Sequence, residues 1–279
     1  MYQGAPTPVT TFMASATKAA GFAALLRVFG TAFPQYRADW RPAVWALAVL
    51  TLAVGSIGAV LQTDMKRLLA YSSIAHAGYV LIAFQAGTPK GVEAAVFYLF
   101  VYTFMVVGSF AVVTVLTAHG DADHSIASYR GLASRRPVLG SLLVLFMLAQ
   151  AGIPLTGGFV AKLEVFAAAA DAGEYVLVVI GAIATVVAAF AYLRVSLAVA
   201  GSATDPGDAD PVGVGAPEVD GGAASVANGG AASVATVTSG RRVDLGVGLA
   251  LFVAATMTLV LGLVPGDFVQ WASHAGFLL

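Results

Sequence analysis

Apolar runs long enough to cross a bilayer recur along most of this chain, and nothing else in the sequence restricts its fold as strongly. A spanning helix needs about 20 apolar residues. Runs of this kind cover residues 8–29, 43–61, 68–86, 92–117, 137–170, 175–200 and 243–264. The fifth is too long for one simple span and carries Pro154 together with Gly152, Gly157 and Gly158. Such residues weaken or break the hydrogen-bond ladder of a membrane helix. The expected fold is all-α: a polytopic membrane helical bundle of about seven transmembrane helices, one of them discontinuous. Residues 1–200 read as a six-helix bundle. Residues 241–279 read as the last transmembrane helix and an interfacial tail holding Trp271 and Phe277.

Composition supports the bilayer as solvent. Of 279 residues 59% are hydrophobic and only 10% charged, where a soluble domain carries about 25% charge. The net charge of −1 argues against a nucleic-acid partner. The chain has no cysteine, which excludes disulfides, cysteine-ligated iron–sulfur clusters and zinc knuckles on it. No cofactor or metal is expected on this chain. The first eight residues lack the basic start of a signal peptide, and the first apolar run is expected to be a span itself.

One segment differs in kind. Residues 201–240 are rich in Gly, Ala, Ser and Asp, with no aromatic residue and no amphipathic period. Such a stretch buries too little apolar area to offset its ordering entropy, so it reads as a disordered cytoplasmic loop. Loop charge sets the orientation, because cytoplasmic loops are enriched in Lys and Arg. With seven spans, one side holds Lys66, Arg67, Arg130, Arg135, Arg136, Arg194, Arg241 and Arg242. The other holds Arg27, Arg37, Arg41 and Lys90. The first side is the expected cytoplasmic one, which places the N-terminus in the cytoplasm and the C-terminus outside.

Ionisable residues inside the spans are the candidates for chemistry, since charge at that depth is costly. Lys162 follows the break, which ends at Gly157 and Gly158, by about one turn. Broken helices at mid-membrane are a recurrent way to build ion sites. A lysine there is neutral, paired or hydrated, and a proton-handling role competes with snorkelling to the interface. Lys18 lies near the centre of the first span with Thr10, Ser15 and Thr17 for polar company. Proton transfer competes there with a structural ion pair. His76 lies among small residues, and a proton relay and a helix–helix hydrogen bond are both open to it. Glu164 is two residues from Lys162, so the two do not share a helix face. Glu93 opens the fourth span. His119, Asp121, Asp123 and His124 read as a solvated loop rather than a metal site.

Several stretches resemble a known family. Tyr2-Gln3-Gly4-Ala5-Pro6-Thr7-Pro8-Val9 and Ala16-Thr17-Lys18-Ala19-Ala20 are similar to subunit N of bacterial respiratory complex I. So are the stretch from Gln62 to Tyr79, Tyr129-Arg130-Gly131-Leu132, and Ala151-Gly152-Ile153-Pro154 through Lys162. The resemblance extends over nearly the whole chain except 201–240. It implies an antiporter-like membrane subunit built from inverted repeats with broken helices, and a line of lysines and water across the membrane middle. By position, Lys18 matches the lysine that connects two half-channels, Lys162 the lysine beside the second broken helix, and His76 a histidine on the central polar axis. NAD, FMN, iron–sulfur clusters and quinone would sit on other subunits, and the partners would be other membrane subunits and the lipid of a bacterial plasma membrane. The glutamate and lysine of the family's first repeat are absent, so the chain is expected to be a fragment or part of a split subunit.

The leading expectation is a proton-translocating subunit that does no redox chemistry itself. A subunit of a multi-subunit sodium/proton antiporter is the alternative. Such subunits carry a His-Ala-Ala-Thr-Met pattern where this chain has Ala16-Thr17-Lys18, which favours the first. A non-transporting structural scaffold is the third reading.

Overall fold

A computed structural model describes residues 4–117, 124–201 and 244–276, and among them every regular element is a helix. The helices are α1 (Thr7–Ala32), α2 (Arg37–Leu61), α3 (Met65–Ala86), α4 (Pro89–Leu116), α5 (Pro137–Ala151), α6 (Gly157–Asp171), α7 (Tyr175–Ala200), α8 (Leu245–Leu263) and α9 (Gly266–Gly276). Six of them are long and apolar enough to cross a membrane, and α5 is a shorter apolar helix. The expected discontinuous span is present: 137–170 divides into α5 and α6 at residues 152–156.

Local chemistry explains the ends. Asp64 caps α3 by accepting from the Arg67 amide at 2.9 Å, and α3 stops where Gly87 adopts a left-handed φ of 58°. Thr88 caps α4 by accepting from the Gly91 amide at 3.1 Å, with Pro89 in the first turn where a missing N–H costs nothing. Helix α2 begins at Arg37, several residues before its apolar run at 43. Its first turns hold Arg37, Asp39, Arg41 and Pro42, residues that lower local hydropathy.

Packing makes α3 the centre. Its apolar window is 78% buried and that of α4 61%, against 22% for α1 and for α8. Small residues let α2 approach α3 closely: a Cβ on Gly55 would lie 2.3 Å from the Ala75 amide nitrogen. Outward faces are apolar, with Leu50, Ile57, Val186 and Phe252 each more than half exposed. Water would not support that surface, whereas lipid does. Helix α9 lies along α4, with Phe268 and Trp271 against Phe100 at ring separations of 6.3 and 5.4 Å.

Apart from Lys18 and Lys162, many of the charged residues described gather at the two ends. At one end Arg37 donates to the Ala86 carbonyl, Arg41 pairs with Glu174, and Lys90 pairs with Asp171 at 2.6 Å. At the other, Arg194 donates to the Gln62 carbonyl and the Met65 amide to the His124 carbonyl at 2.7 Å. Arg37, Arg41 and Lys90 of one cation set therefore lie at the opposite end of the bundle from Arg194 of the other. Residues 202–240, Arg241, Arg242, His119, Asp121, Asp123 and Phe277 lie outside the described residues.

Candidate functional site

The break between α5 and α6 creates its own polar demand. A helix end leaves its last carbonyls without helical partners. At the end of α5, Gly152 turns left-handed at φ 87° and Leu155 follows at φ 75°. The Gly152 and Ile153 amides both return to the Leu148 carbonyl at 3.1 Å. The next carbonyls, of Gln150 and Ala151, are taken by Lys162 Nζ at 2.8 and 2.9 Å. Lys162 thus folds back from α6 to cap α5, with only 5% of its surface exposed. Its Nζ also lies 5.1 Å from the Tyr79 ring centroid.

Magnitudes indicate how far these contacts offset the burial of a lysine at this position. A lysine at mid-bilayer costs about 2.5–3.5 kcal/mol on insertion scales. A hydrogen bond to a charged group contributes about 1.5–3 kcal/mol, and the negative end of a helix dipole up to ~2 kcal/mol in partly buried geometry. The two carbonyls at the α5 terminus therefore offset part of that cost.

Two glycines make this geometry possible. At Gly152 a Cβ would sit 3.1 Å from Lys162 Cδ, on a backbone that L side chains rarely adopt. At Gly158 it would meet the Ala149 carbonyl oxygen at 1.9 Å, so no larger residue fits. Gly157 opens α6 beside it, and Pro154 sits exposed in the break, where it adds no unsatisfied N–H.

Lys18 is held differently. It follows a π-helical turn, Met13–Thr17, inside α1. Such a turn inserts one extra residue and resets the facing of the residues after it. Lys18 Nζ reaches α3, where it donates to both the carbonyl and the hydroxyl of Ser73. It lies 5.1 Å from the Tyr102 ring centroid.

His76 stands between the two lysines. Its ring is 4.9 Å from that of Tyr102, the ring that Lys18 faces. Its Nδ1 bonds the Tyr98 hydroxyl at 2.7 Å and its Nε2 the Tyr192 hydroxyl at 3.2 Å. Tyr192 bonds Ser72 at 2.6 Å, and Ser72 donates to Gln150 Oε1 at 3.0 Å. The Gln150 backbone carbonyl is one of the two that hold Lys162. A hydrogen-bonded chain thus runs from Tyr98 through His76 to Gln150, beside Lys162 at one end, with Lys18 next to it across the Tyr102 ring, and both His76 nitrogens are engaged. A single packing hydrogen bond would engage only one.

Sequence reasoning missed Gln150, Tyr98, Tyr102 and Tyr192. The available signal was weak: a lone Gln in the run Leu148-Ala149-Gln150-Ala151, and tyrosines in otherwise apolar spans. Glu164 lies outside this chain, as its spacing from Lys162 requires. It lines a cavity of about 460 Å³ with Lys90, Glu93 and Phe97.

With this geometry in place, the likeness to known proteins becomes specific. Residues 1–188 match the family model described as NADH:quinone oxidoreductase/Mrp antiporter, TM. NADH-quinone oxidoreductase subunit N 3 of Streptomyces griseus is 45% identical over 99% of this chain and 45% of its own length. NADH-quinone oxidoreductase subunit N of Mycobacterium tuberculosis is 50% identical over 70% of this chain and 38% of its own length. The chain therefore spans less than half the length of these curated relatives. Among solved structures, a chain of respiratory complex I from Thermus thermophilus with bound aureothin superposes with a TM-score of 0.70 at 34% identity, over 96% of this chain and 52% of that one. A chain of the Mrp complex from Dietzia superposes with a TM-score of 0.80 at 21% identity, over 99% and 54%, which shows the fold alone. The break and Lys162 both fall inside the matched region, and this membrane chain belongs to the NADH:quinone oxidoreductase/Mrp antiporter transmembrane family.

Proposed function

We propose that this chain translocates protons as part of a membrane subunit of an NADH–quinone oxidoreductase. The observation that carries the reading is the hydrogen-bonded chain through His76 that ends beside Lys162, with Lys18 next to it across the Tyr102 ring. Relatives at 45% and 50% identity bear the oxidoreductase subunit's name, whereas the likeness to the Mrp complex is at 21%. Redox chemistry belongs to other subunits, which would hold NAD, FMN, iron–sulfur clusters and quinone. This chain has no cysteine thiolate to offer a cluster. Its neighbours would be the other membrane subunits and the lipid of a bacterial plasma membrane, with the N-terminus cytoplasmic.

Lys18 is the entry group, His76 the relay and Lys162 the exit group. A proton gained at Lys18 crosses by water to Tyr98 and passes through the Tyr98–His76–Tyr192 hydroxyl–imidazole chain toward Lys162. A backbone carbonyl accepts a hydrogen bond but has no proton to forward. The last step, past Gln150, therefore needs water or a swing of the Lys162 side chain off its carbonyls. Redox events elsewhere would drive that step. Moving one charge across 100 mV involves about 2.3 kcal/mol, comparable to one charged hydrogen bond.

The test is Lys162→Ala in the assembled complex in membrane vesicles, with NADH oxidation and proton uptake measured together. Pumping should fall at least tenfold. Normal pumping at normal NADH turnover would remove the proposal. Sodium-dependent proton exchange without NADH would favour an antiporter, and neither activity in wild type would favour a scaffold.

A further inference from the structure

The hydrogen-bond chain around His76 has a direction, and Gln150 sets it. Its fixed point is a group that can only accept. The Met105 carbonyl in α4 receives the Ser109 hydroxyl at 2.8 Å, which commits the one hydroxyl proton of Ser109. Ser109 Oγ must then accept from its other neighbour, Gln150 Nε2 at 2.7 Å. The Gln150 amide is thereby oriented, with Oε1 facing Ser72 at 3.0 Å. An amide oxygen only accepts, so Ser72 donates to it. Tyr192, at 2.6 Å from Ser72, must then donate to Ser72. Tyr192 is left to accept from His76 Nε2 at 3.2 Å, and His76 Nδ1 accepts from Tyr98 at 2.7 Å.

We infer that Gln150 is a positioning residue that locks neutral His76 as the Nε2–H tautomer and polarises the chain from Tyr98 toward Ser72. The opposite polarity requires the Gln150 amide to flip. Ser109 would then donate to Gln150 and lose its bond to Met105, and Tyr98 would lose its acceptor on the ring. The flipped arrangement is therefore poorer by those contacts.

The consequence for transport rests on the proposed function. Passage of one proton is balanced along the chain. An excess proton arrives at Tyr98, whose own proton moves to His76 Nδ1. The Nε2 proton moves to Tyr192, that of Tyr192 moves to Ser72, and the proton displaced from Ser72 passes to the water that carries it past Gln150 toward Lys162. One proton enters and one leaves, and each hydroxyl bond has reversed. Gln150 Oε1 then draws Ser72 back to donating, and the starting polarity returns once the Tyr192 and Tyr98 hydroxyls rotate and the His76 ring flips, carrying its one N–H back to the Tyr192 side. Gln150 thus biases the reset, while its backbone carbonyl anchors the acceptor lysine.

The experiment is ¹⁵N NMR of the full chain in membranes, labelled at histidine, with the His76 signal assigned by its loss in His76→Gln. Wild type should show the Nε2–H tautomer. Gln150→Met, of similar volume, should give a mixture of tautomers. Ser109→Ala should also give a mixture, because it frees the amide to flip while touching neither histidine nor lysine. A wild-type Nδ1–H ring, or an unchanged pure Nε2–H ring in Gln150→Met, overturns the inference. In the assembled complex, Gln150→Met should lower NADH-driven proton uptake several-fold. If the tautomers behave as stated but Lys162→Ala pumps normally, the proposed function fails while the tautomer assignment stands.

Discussion

The two lysines share a residue type and a place inside apolar helices, yet the backbone treats them in opposite ways. Lys162 sits at a helix end, where the α5 terminus supplies two carbonyls with no helical partners. Lys18 leans on the side of an unbroken helix, where Ser73 offers a hydroxyl and a carbonyl that belongs to the α3 ladder. The first lysine satisfies a demand that the fold creates, and removing it leaves polar atoms stranded. The second borrows contacts that α3 does not need. The difference teaches that a buried charge is best fixed where backbone continuity fails. A charge on an intact helix is held by side chains and is freer to move.

Breaking the support of Lys162 should have the largest effect. Gly158→Val forces carbon into the Ala149 carbonyl, where even a Cβ would be at 1.9 Å. Overpacking of this kind costs about 1–3 kcal/mol or more. The chain should be depleted from membranes in a quantitative blot, and a normal level would show that the break tolerates widening. Next comes Lys162→Ala against Lys18→Ala in NADH-driven proton uptake. We expect at least a tenfold loss for Lys162 and a smaller loss for Lys18. Equal losses would break the distinction between a locked and a mobile lysine.

Gly152→Ala probes the same cap more gently. A left-handed L residue costs about 1–2 kcal/mol, and the new Cβ presses on Lys162 Cδ at 3.1 Å. Proton uptake should drop several-fold at near-normal expression. Ser73→Ala removes one of the two contacts of Lys18 and leaves the carbonyl. A twofold to threefold effect on uptake, about 0.4–0.7 kcal/mol, is expected. The smallest effect is Leu155→Gly. It relieves a non-glycine φ of 75° and should raise the melting temperature of the purified protein slightly, with pumping unchanged. A lower melting temperature would mean that the exposed Leu155 side chain packs against a partner.

Much of the scaffold is legible in the sequence because it depends on local properties. Apolar length predicts the spans, and Pro154 with its glycines predicts the division of 137–170. The apolar run at 43–61 understates α2, because hydropathy reports solvent preference and the first turns of that helix carry charges that point to the bundle end. A Lys162–Glu164 pair is excluded on equally local grounds, since helical spacing alone decides it.

The sequence by itself determined that charge would lie inside apolar helices, and that one helix would fail beside a lysine. Both result from which residues adjoin along the chain. Only the tertiary structure decided what those charges touch. Lys162 reaches back to Gln150 and Ala151 across a turn whose left-handed geometry no pattern of hydropathy encodes. His76 meets Tyr192, 116 residues away, and Ser72 meets Gln150, 78 residues away. Contacts at such separations depend on how α3, α4, α5 and α7 pack, and packing is a property of surfaces in three dimensions rather than of neighbours along the chain. The direction of the chain through His76 belongs to this second class, because it derives from one committed hydroxyl on α4 passed along by groups on three other helices.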